Sequence, residues 1–394
     1  MKKLIKSMGK KCLLALYGLE RILLPIRKNV IVFESNVGRN YTGNPKAIYE
    51  EMVHMGLDQK YRMIYILEDT SIPIAGQGKK VKRLRFSYFY YMAVAGIWVS
   101  DSRFPEFIVK RNKTRYIQTW HGTPLKKLAL DMDSIHMDGE VSLEEYKRKF
   151  RENSQTWDYL ISQNRFSTEV FQKCFDFRKE MLEYGYPRND VLFHNNRADC
   201  IAKIKERYGI PKDKKVMLYA PTWRDNQFYG NNRYKFNQAL DYDLLKKELA
   251  DDYILLVKCH YLVQDSINWS HYQGFVYSFD SKADIADLYL IADELITDYS
   301  SVMFDYSLLK RPMFFFAYDL KEYREELRGF YFDYMTELPG PISETTQELV
   351  EQIKSYKEKD WIVRYDAFSD KFNTFDTGVA ASKVVSLITS LIKE

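Results

Sequence analysis

At 394 residues, 46% hydrophobic and 15% aromatic, the chain is longer than one ordinary domain and carries apolar side chain enough for two cores. Its four cysteines, Cys12, Cys174, Cys200 and Cys259, form no Cys-x-x-Cys pair, which argues against a zinc or disulfide framework and fits reduced cytoplasmic thiols. The net charge is +5, but eight Lys/Arg against Glu20 give the first 30 residues +7 and leave −2 elsewhere; a slightly acidic body argues against nucleic-acid binding.

Residues 1–28 combine Lys2, Lys3, Lys6, Lys10, Lys11 and Arg21 with apolar runs at 12–19 and 22–24. These runs are shorter than the roughly 20 residues of a membrane span, and no small-residue cleavage site follows. The segment reads as a basic amphipathic helix on an anionic membrane surface, or as a first helix packed on the body with its charges in water. A buried strand is expected at 29–33 and a polar loop at 34–43, with Asn44 as N-cap and Pro45 at the first helical position. Strands follow at 61–67 and 80–84, an aromatic-rich helix at 87–96, and strands at 97–100 and 116–119. The charged stretch 131–156 reads as loop and helix, followed by strands at 157–161 and 181–184. A helix at 198–208 and a turn at 211–214 place a domain junction near 190–212. Strands are then expected at 215–219, 253–257, 294–297 and 313–316, and helices at 242–249, 284–292, 301–309, 345–356 and 378–392. Continuous apolar runs alternating with helices mean parallel sheets covered on both faces. The expectation is a two-domain α/β chain with its site in the cleft between the domains.

Gln118-Thr119-Trp120-His121-Gly122-Thr123-Pro124 follows a strand end. Histidine exchanges a proton near neutral pH, and Gly122 lets an anionic substrate approach the backbone. Lys258, Cys259 and His260 follow another strand, and residues two apart in an extended segment share one side. Asp298-Tyr299-Ser300-Ser301 opens a helix containing Asp305, where free N–H groups and the dipole attract anions; plain serine capping is the other reading. Arg188, in Gly185-Tyr186-Pro187-Arg188-Asn189-Asp190, and Arg224-Asp225, after Pro221-Thr222-Trp223, lie in similar loops. An arginine fork matches phosphate, although turn arginines are often only solvated. Together these loops would meet along facing sheet edges and line a cleft for a nucleotide diphosphate. No Gly-x-Gly-x-x-Gly follows Phe33 and no Gly-Lys-Ser/Thr occurs, against a dinucleotide dehydrogenase or a P-loop ATPase. No Asp-x-Asp lies at a predicted strand end to hold a metal.

In this order and spacing, Trp120-His121-Gly122-Thr123-Pro124, Gly185–Asp190, Tyr219-Ala220-Pro221-Thr222-Trp223-Arg224, Lys258-Cys259-His260 and Asp298–Ser301 with Asp305 resemble the CDP-glycerol glycerophosphotransferase family over about residues 30–390. The resemblance implies a GT-B-like fold of two Rossmann-like domains, an acceptor domain (29–200) and a CDP-polyol donor domain (201–394). It implies transfer of glycerol phosphate, in preference to ribitol phosphate, from CDP-glycerol or CDP-ribitol to an undecaprenyl-linked saccharide in teichoic acid or related polymer synthesis, with CMP released. By the same resemblance His121 would be the general base, with His260 beside the diphosphate. Gly122, Thr123, Pro124 and Leu125 would border the donor. Arg188, Pro221, Thr222, Arg224, Asp225, Lys258, Cys259, Ser300, Ser301 and Asp305 would hold it, with no cofactor or metal. The implied place is peripheral, on the cytoplasmic face of the bacterial cell membrane, with homo-oligomerisation left open. Long polymerases of the family carry a further N-terminal domain, so the length points to a primase-like role. The aromatic segment 86–92 and the stretch 101–105 would either face the lipid-linked acceptor or be core. The rival readings are a nucleotide-sugar glycosyltransferase of GT-B type and a non-catalytic module binding anionic lipid or polymer.

Overall fold

The computed structural model describes residues 2–134, 142–222, 239–258, 268–280, 283–322 and 329–394, with residues 2–10 and 322 described by backbone alone. The chain winds two parallel sheets in succession. The first holds β1 (Arg27–Glu34), β2 (Arg62–Leu67), β3 (Lys79–Lys82), β4 (Ala95–Ser100), β5 (Arg115–Gln118), β6 (Tyr159–Ile161) and β7 (Glu180–Leu182), in the order β3-β2-β1-β4-β5-β6-β7. The second holds β8 (Lys215–Ala220), β9 (Tyr253–Lys258), β10 (Val276–Phe279), β11 (Glu294–Thr297), β12 (Met313–Phe316) and β13 (Ile342–Ser343), in the order β10-β9-β8-β11-β12-β13. In both sheets the chain steps outward one way from its first strand, crosses back, and steps out the other way. Each sheet therefore has a switch point, β1/β4 and β8/β11, where the following loops part and open a crevice. This is a GT-B-like pair of Rossmann-like units.

Period-two alternation builds a core on each face of each sheet. In the first, Val30, Val32, Ile64, Ile66 and Trp98 face one cluster, while Ile31, Phe33, Met63, Tyr65, Ile97 and Val99 face the other. In the second, Val216, Leu218, Ile254 and Leu256 oppose Met217, Tyr219, Leu255 and Val257. Both faces are covered, which is why these strands read as unbroken apolar runs.

The N-terminal helix Lys2–Leu23 is docked on the first unit. Tyr17 is buried, its ring 5.6 Å from that of Phe89, and its hydroxyl donates to the Val109 carbonyl at 3.1 Å. The helix Phe86–Val94 buries Tyr88, Phe89, Tyr91 and Met92, so most of that aromatic segment is core. Leu19, Ile22 and Leu23 stay exposed. Among the described residues no helix is long and apolar enough to cross a membrane.

Three local expectations need correction. Thr42, not Asn44, is the N-cap of the helix Gly43–His54; Asn44 is buried because its amide is used elsewhere, as described below. The helix expected at 301–309 is Val302–Tyr306 followed by a 3-10 turn, Ser307–Leu309. The helix Ala380–Lys393 does not join the second unit. It packs Val384, Val385, Ile388 and Leu391 against Ile31, Phe33 and Ile97 of the first sheet, because its apolar stripe completes that cluster.

Truncating Ile388, fully buried in this cluster, should cost about 2–5 kcal/mol. Urea melts of Ile388→Ala read this loss. An unchanged midpoint would show that the returning helix is not part of the first core.

Candidate active site

His121 stands beyond the end of β5, over the β1/β4 switch point. Trp120 before it has φ 50°, a left-handed conformation costly for a bulky residue. The buried Asn44 side chain holds this turn: its Nδ2 donates to the Thr119 and Trp120 carbonyls at 3.3 and 3.1 Å. The imidazole stacks on the Trp120 indole with 4.5 Å between centroids. Its Nδ1 lies 3.0 Å from the Asp101 carbonyl oxygen. A carbonyl can only accept, so Nδ1 carries the hydrogen and Nε2 keeps its lone pair. Asp101 follows β4, and its carboxylate accepts from the Asn36 N–H and the Ser102 hydroxyl, each at 2.7 Å.

Arg188 ties this loop to the second unit. Its Nη1 donates to the His121 carbonyl at 2.7 Å, and its Nη2 to Asp305 Oδ2 at 2.6 Å. Asp305 Oδ1 accepts from Asn189 at 3.0 Å and Gln163 at 3.3 Å. Burial is the largest influence and opposes the guanidinium charge, but the Asp305 carboxylate with Tyr289 and Tyr186 together outweigh it and the Arg188 pKa is raised. Asn44 joins this corner too, accepting from the Arg188 backbone N–H at 3.1 Å.

Gly122 meets the second unit directly: a Cβ there would lie 2.8 Å from Ser301 Oγ. Two motifs far apart in sequence therefore abut across the cleft. Ser301 holds the N-cap position without a side-chain capping bond, so plain capping does not account for its hydroxyl. Thr123, Pro124 and Leu125 are buried. Thr123 donates to Gln163 Oε1 at 2.7 Å, and Leu125 inserts into the second unit's core. Beyond it, the backbone N–H groups of Lys127 and Tyr331 donate to the Gly329 and Leu125 carbonyls, both at 2.9 Å.

Beside this closed edge lies a cavity of about 1200 Å³. From the expected set it is lined by His121, Arg188 and Asp305, and with them by Asn36, Lys46, Asp101, Ser102 and Asp284. Lys46 and Asp284 face each other from the two units at 2.6 Å. The pair opposes burial in both residues, raising the Lys46 pKa and lowering that of Asp284. At the β8/β11 switch point the Thr222 N–H donates to Asp298 Oδ1 at 2.7 Å, next to Pro221. Burial lowers the Lys258 ammonium to about 8, and it donates to the Asp280 and Ala283 carbonyls, occupying two of its three donors. Ser300 lies in the loop after β11. Arg224, Asp225, Cys259 and His260 lie outside the described residues, and with them the expected sharing of one cavity by His121 and His260.

The family model described as CDP-Glycerol:Poly(glycerophosphate) glycerophosphotransferase matches residues 16–390. The chain belongs to this family: it is a glycerophosphotransferase by class. It is 46% identical over 368 residues to the teichoic acid poly(glycerol phosphate) polymerase of Bacillus spizizenii (strain ATCC 23059 / NRRL B-14472 / W23), covering 92% of each. It is 46% identical over 369 residues to the polymerase of the same name from Bacillus subtilis (strain 168), of which it spans only 49%. Its structure superposes on that of the wall teichoic acid polymerase TagF with a TM-score of 0.93 at 42% identity, covering 99% of this chain and 96% of the other. The Bacillus spizizenii polymerase is covered to 92% at this size, so length does not separate a primase from a polymerase.

Asp101, Lys46, Asp284, Gln163 and Asn44 escaped the motif reading, except that Asp101 fell within a stretch flagged whole. The available signal was positional: Asn36 and Asp101 stand just beyond the two switch-point strands.

The site rests on buried carboxyls with a defined pH signature. Burial pushes Glu34 to about 7 against the pull of Arg83, and Asp376 to about 7 against its hydrogen bonds. In the unfolded chain both titrate near ~4. The folded state therefore holds these protons more tightly, and the stability they contribute is full below about pH 4 and lost as pH rises through 7. Asp376→Asn keeps an oxygen for the Tyr186 N–H (2.8 Å). It should shrink the drop in melting temperature between pH 5 and pH 8. A drop equal to the parent's would remove Asp376 from this account.

Proposed function

We propose that the chain transfers glycerol phosphate from CDP-glycerol to a hydroxyl of a lipid-linked acceptor and releases CMP. The carrying observation is His121: hydrogen fixed on Nδ1, Nε2 basic, and the exposed ring on the wall of a cavity between the units. In this reading Nε2 takes the acceptor's hydroxyl proton as the oxygen attacks the glycerol-bearing phosphorus. The bond from that phosphorus to the bridging oxygen breaks, and CMP departs with the electron pair. Such transfers depend chiefly on positioning and charge. In this reading Lys258, Ser300, Ser301 and the β8/β11 loops with Pro221 and Thr222 hold the diphosphate, and Arg224, Asp225, Cys259 and His260 are assigned to it by family resemblance. Arg188 and Asp305 act by fixing the cleft rather than by gripping phosphate, because each is engaged by the other.

The 46% identity to poly(glycerol phosphate) polymerases favours glycerol over ribitol and repeated over single addition. The acceptor is then an undecaprenyl-linked saccharide already bearing glycerol phosphate, met at a cytoplasmic membrane face. The N-terminal helix supports that setting: Leu19, Ile22 and Leu23 are exposed on a helix rich in Lys and Arg, the composition of an interfacial anchor.

Incubation with CDP-glycerol, CDP-ribitol or a UDP-sugar and a lipid-linked acceptor should release CMP from CDP-glycerol, with products growing in length. UDP release, or no turnover with either CDP-polyol, would end the proposal. His121→Ala should lower the rate by about 10²–10⁴-fold; a near-normal rate would remove the histidine from its role. Removal of residues 1–23 should abolish sedimentation with vesicles containing phosphatidylglycerol, and undiminished sedimentation would discard the anchor.

A further inference from the structure

Three of the seven non-glycine residues with positive φ among the described residues surround one aspartate. Asn36 (φ 45°) and Val37 (φ 58°) form the turn after β1, and Trp120 (φ 50°) forms the turn before His121. A left-handed β-branched valine is a true outlier, and each such residue costs about 1–3 kcal/mol. The strained turn after β1 delivers one contact to the catalytic edge: the Asn36 N–H on the Asp101 carboxylate at 2.7 Å. The Ser102 hydroxyl gives that carboxylate a second donor. Asp101 is 5% exposed yet lines the cavity, and its own carbonyl orients the His121 ring.

We propose that Asp101 is the positioning residue for His121: its carbonyl fixes the Nδ1–H tautomer, and its caged carboxylate stabilises the imidazolium formed when Nε2 accepts the acceptor proton. This rests on His121 being the base. The proton moves from hydroxyl to Nε2, the hydroxyl oxygen bonds to phosphorus, and CMP leaves, so Asp101 itself exchanges no proton.

The electrostatics agree with the geometry. Burial raises the Asp101 carboxyl, and the His121 charge is the largest force against it, followed by the bonds from Ser102 and Asn36 and by Arg188. The other groups facing Asp101 are Glu34 on β1, Tyr65 on β2 and Tyr116 on β5. Burial raises both tyrosines well above their ordinary value, so they stay neutral. Arg188 is engaged by Asp305. Glu34, at about 7, titrates within the working window and needs its own control.

Asp101→Asn keeps the main-chain carbonyl and removes only the charge. With CDP-glycerol near saturation, kcat should fall on the order of 10- to 100-fold, while KM for CDP-glycerol stays within about twofold. The acid limb of the pH–kcat profile should move to lower pH, because the imidazolium loses its counter-charge. Asp101→Glu should recover part of the rate. Glu34→Gln should leave the acid-limb midpoint in place, and the same shift in that variant would overturn the assignment to Asp101. Where circular-dichroism melts show the Asn variant unfolded, Asp101→Ser makes the same comparison with a smaller side chain. A folded, charge-free variant whose profile superposes on the parent's overturns the inference. If His121→Ala is inert and Asp101→Asn unchanged, only this inference fails. If His121→Ala is active, the reading of the base fails first.

Discussion

The molecule turns on the Arg188 guanidinium. One arm of its fork holds the carbonyl of the catalytic candidate, and the other holds a buried carboxylate of the opposite unit. Burying such a pair is expensive, and ion pairs of this kind add little net stability. They specify position through directed hydrogen bonds, and here Asn189 and Gln163 add theirs to Asp305, while the Arg188 Nε is buried with no hydrogen-bond partner. Around that fixed point Gly122 comes against Ser301 and Leu125 enters the second core. One edge of the cleft is thereby shut and the other left open as the cavity. Lys46 and Asp284 span the open side, with 23% and 29% of their side chains exposed. A contact so wetted is weakened by water and salt, so the open edge can part for a ligand while the Arg188 edge stays joined.

The catalytic edge combines local strain with dense support. Trp120, Asn36 and Val37 hold unfavourable backbone angles, in turns held by the Asn44 amide and by the Asn36 N–H on Asp101. Asn44 serves two loops at once, donating to the Trp120 turn and accepting from the Arg188 backbone. A side chain so used must be buried and fixed, and it cannot also cap a helix.

That conflict shows where reading the sequence stops. The strands at 29–33, 215–219, 253–257 and 313–316 were legible because double-sided burial writes continuous apolar runs. β10 and β13 were not: four and two residues long at sheet edges, they carry too little pattern. The helix Glu358–Phe372 was hidden because exposed Ile362 and Val363 interrupt the stripe of Tyr365, Phe368 and Phe372. His121, Arg188 and Asp305 stood out by type and by their place after strands. Their relation did not, because a pair 117 residues apart leaves no local trace. Arg188 read by residue type as a phosphate ligand, with nothing local to show that Nη1 and Nη2 reach the His121 carbonyl and Asp305. Asn44 read as a cap for the same reason: the local rule was sound, and a contact 76 residues away overrode it.

The two crossings between the units complete the constraint. The chain leaves the first sheet after β7 through Gly185, Tyr186 and Arg188, and returns through Phe375 and Asp376 to the helix Ala380–Lys393. These two passes touch: the Tyr186 N–H donates to Asp376 at 2.8 Å. A Cβ at Gly185, where φ is 81°, would lie 2.7 Å from both Asp376 Oδ1 and the Phe375 carbonyl. Only glycine allows both the angle and the approach. The hinge is thus a double strand, and the residue three positions beyond its glycine is the arginine that holds the His121 loop. Two passes tied to each other, one of them carrying Arg188, hold the closed edge of the cleft in register while the Lys46–Asp284 edge stays free to part.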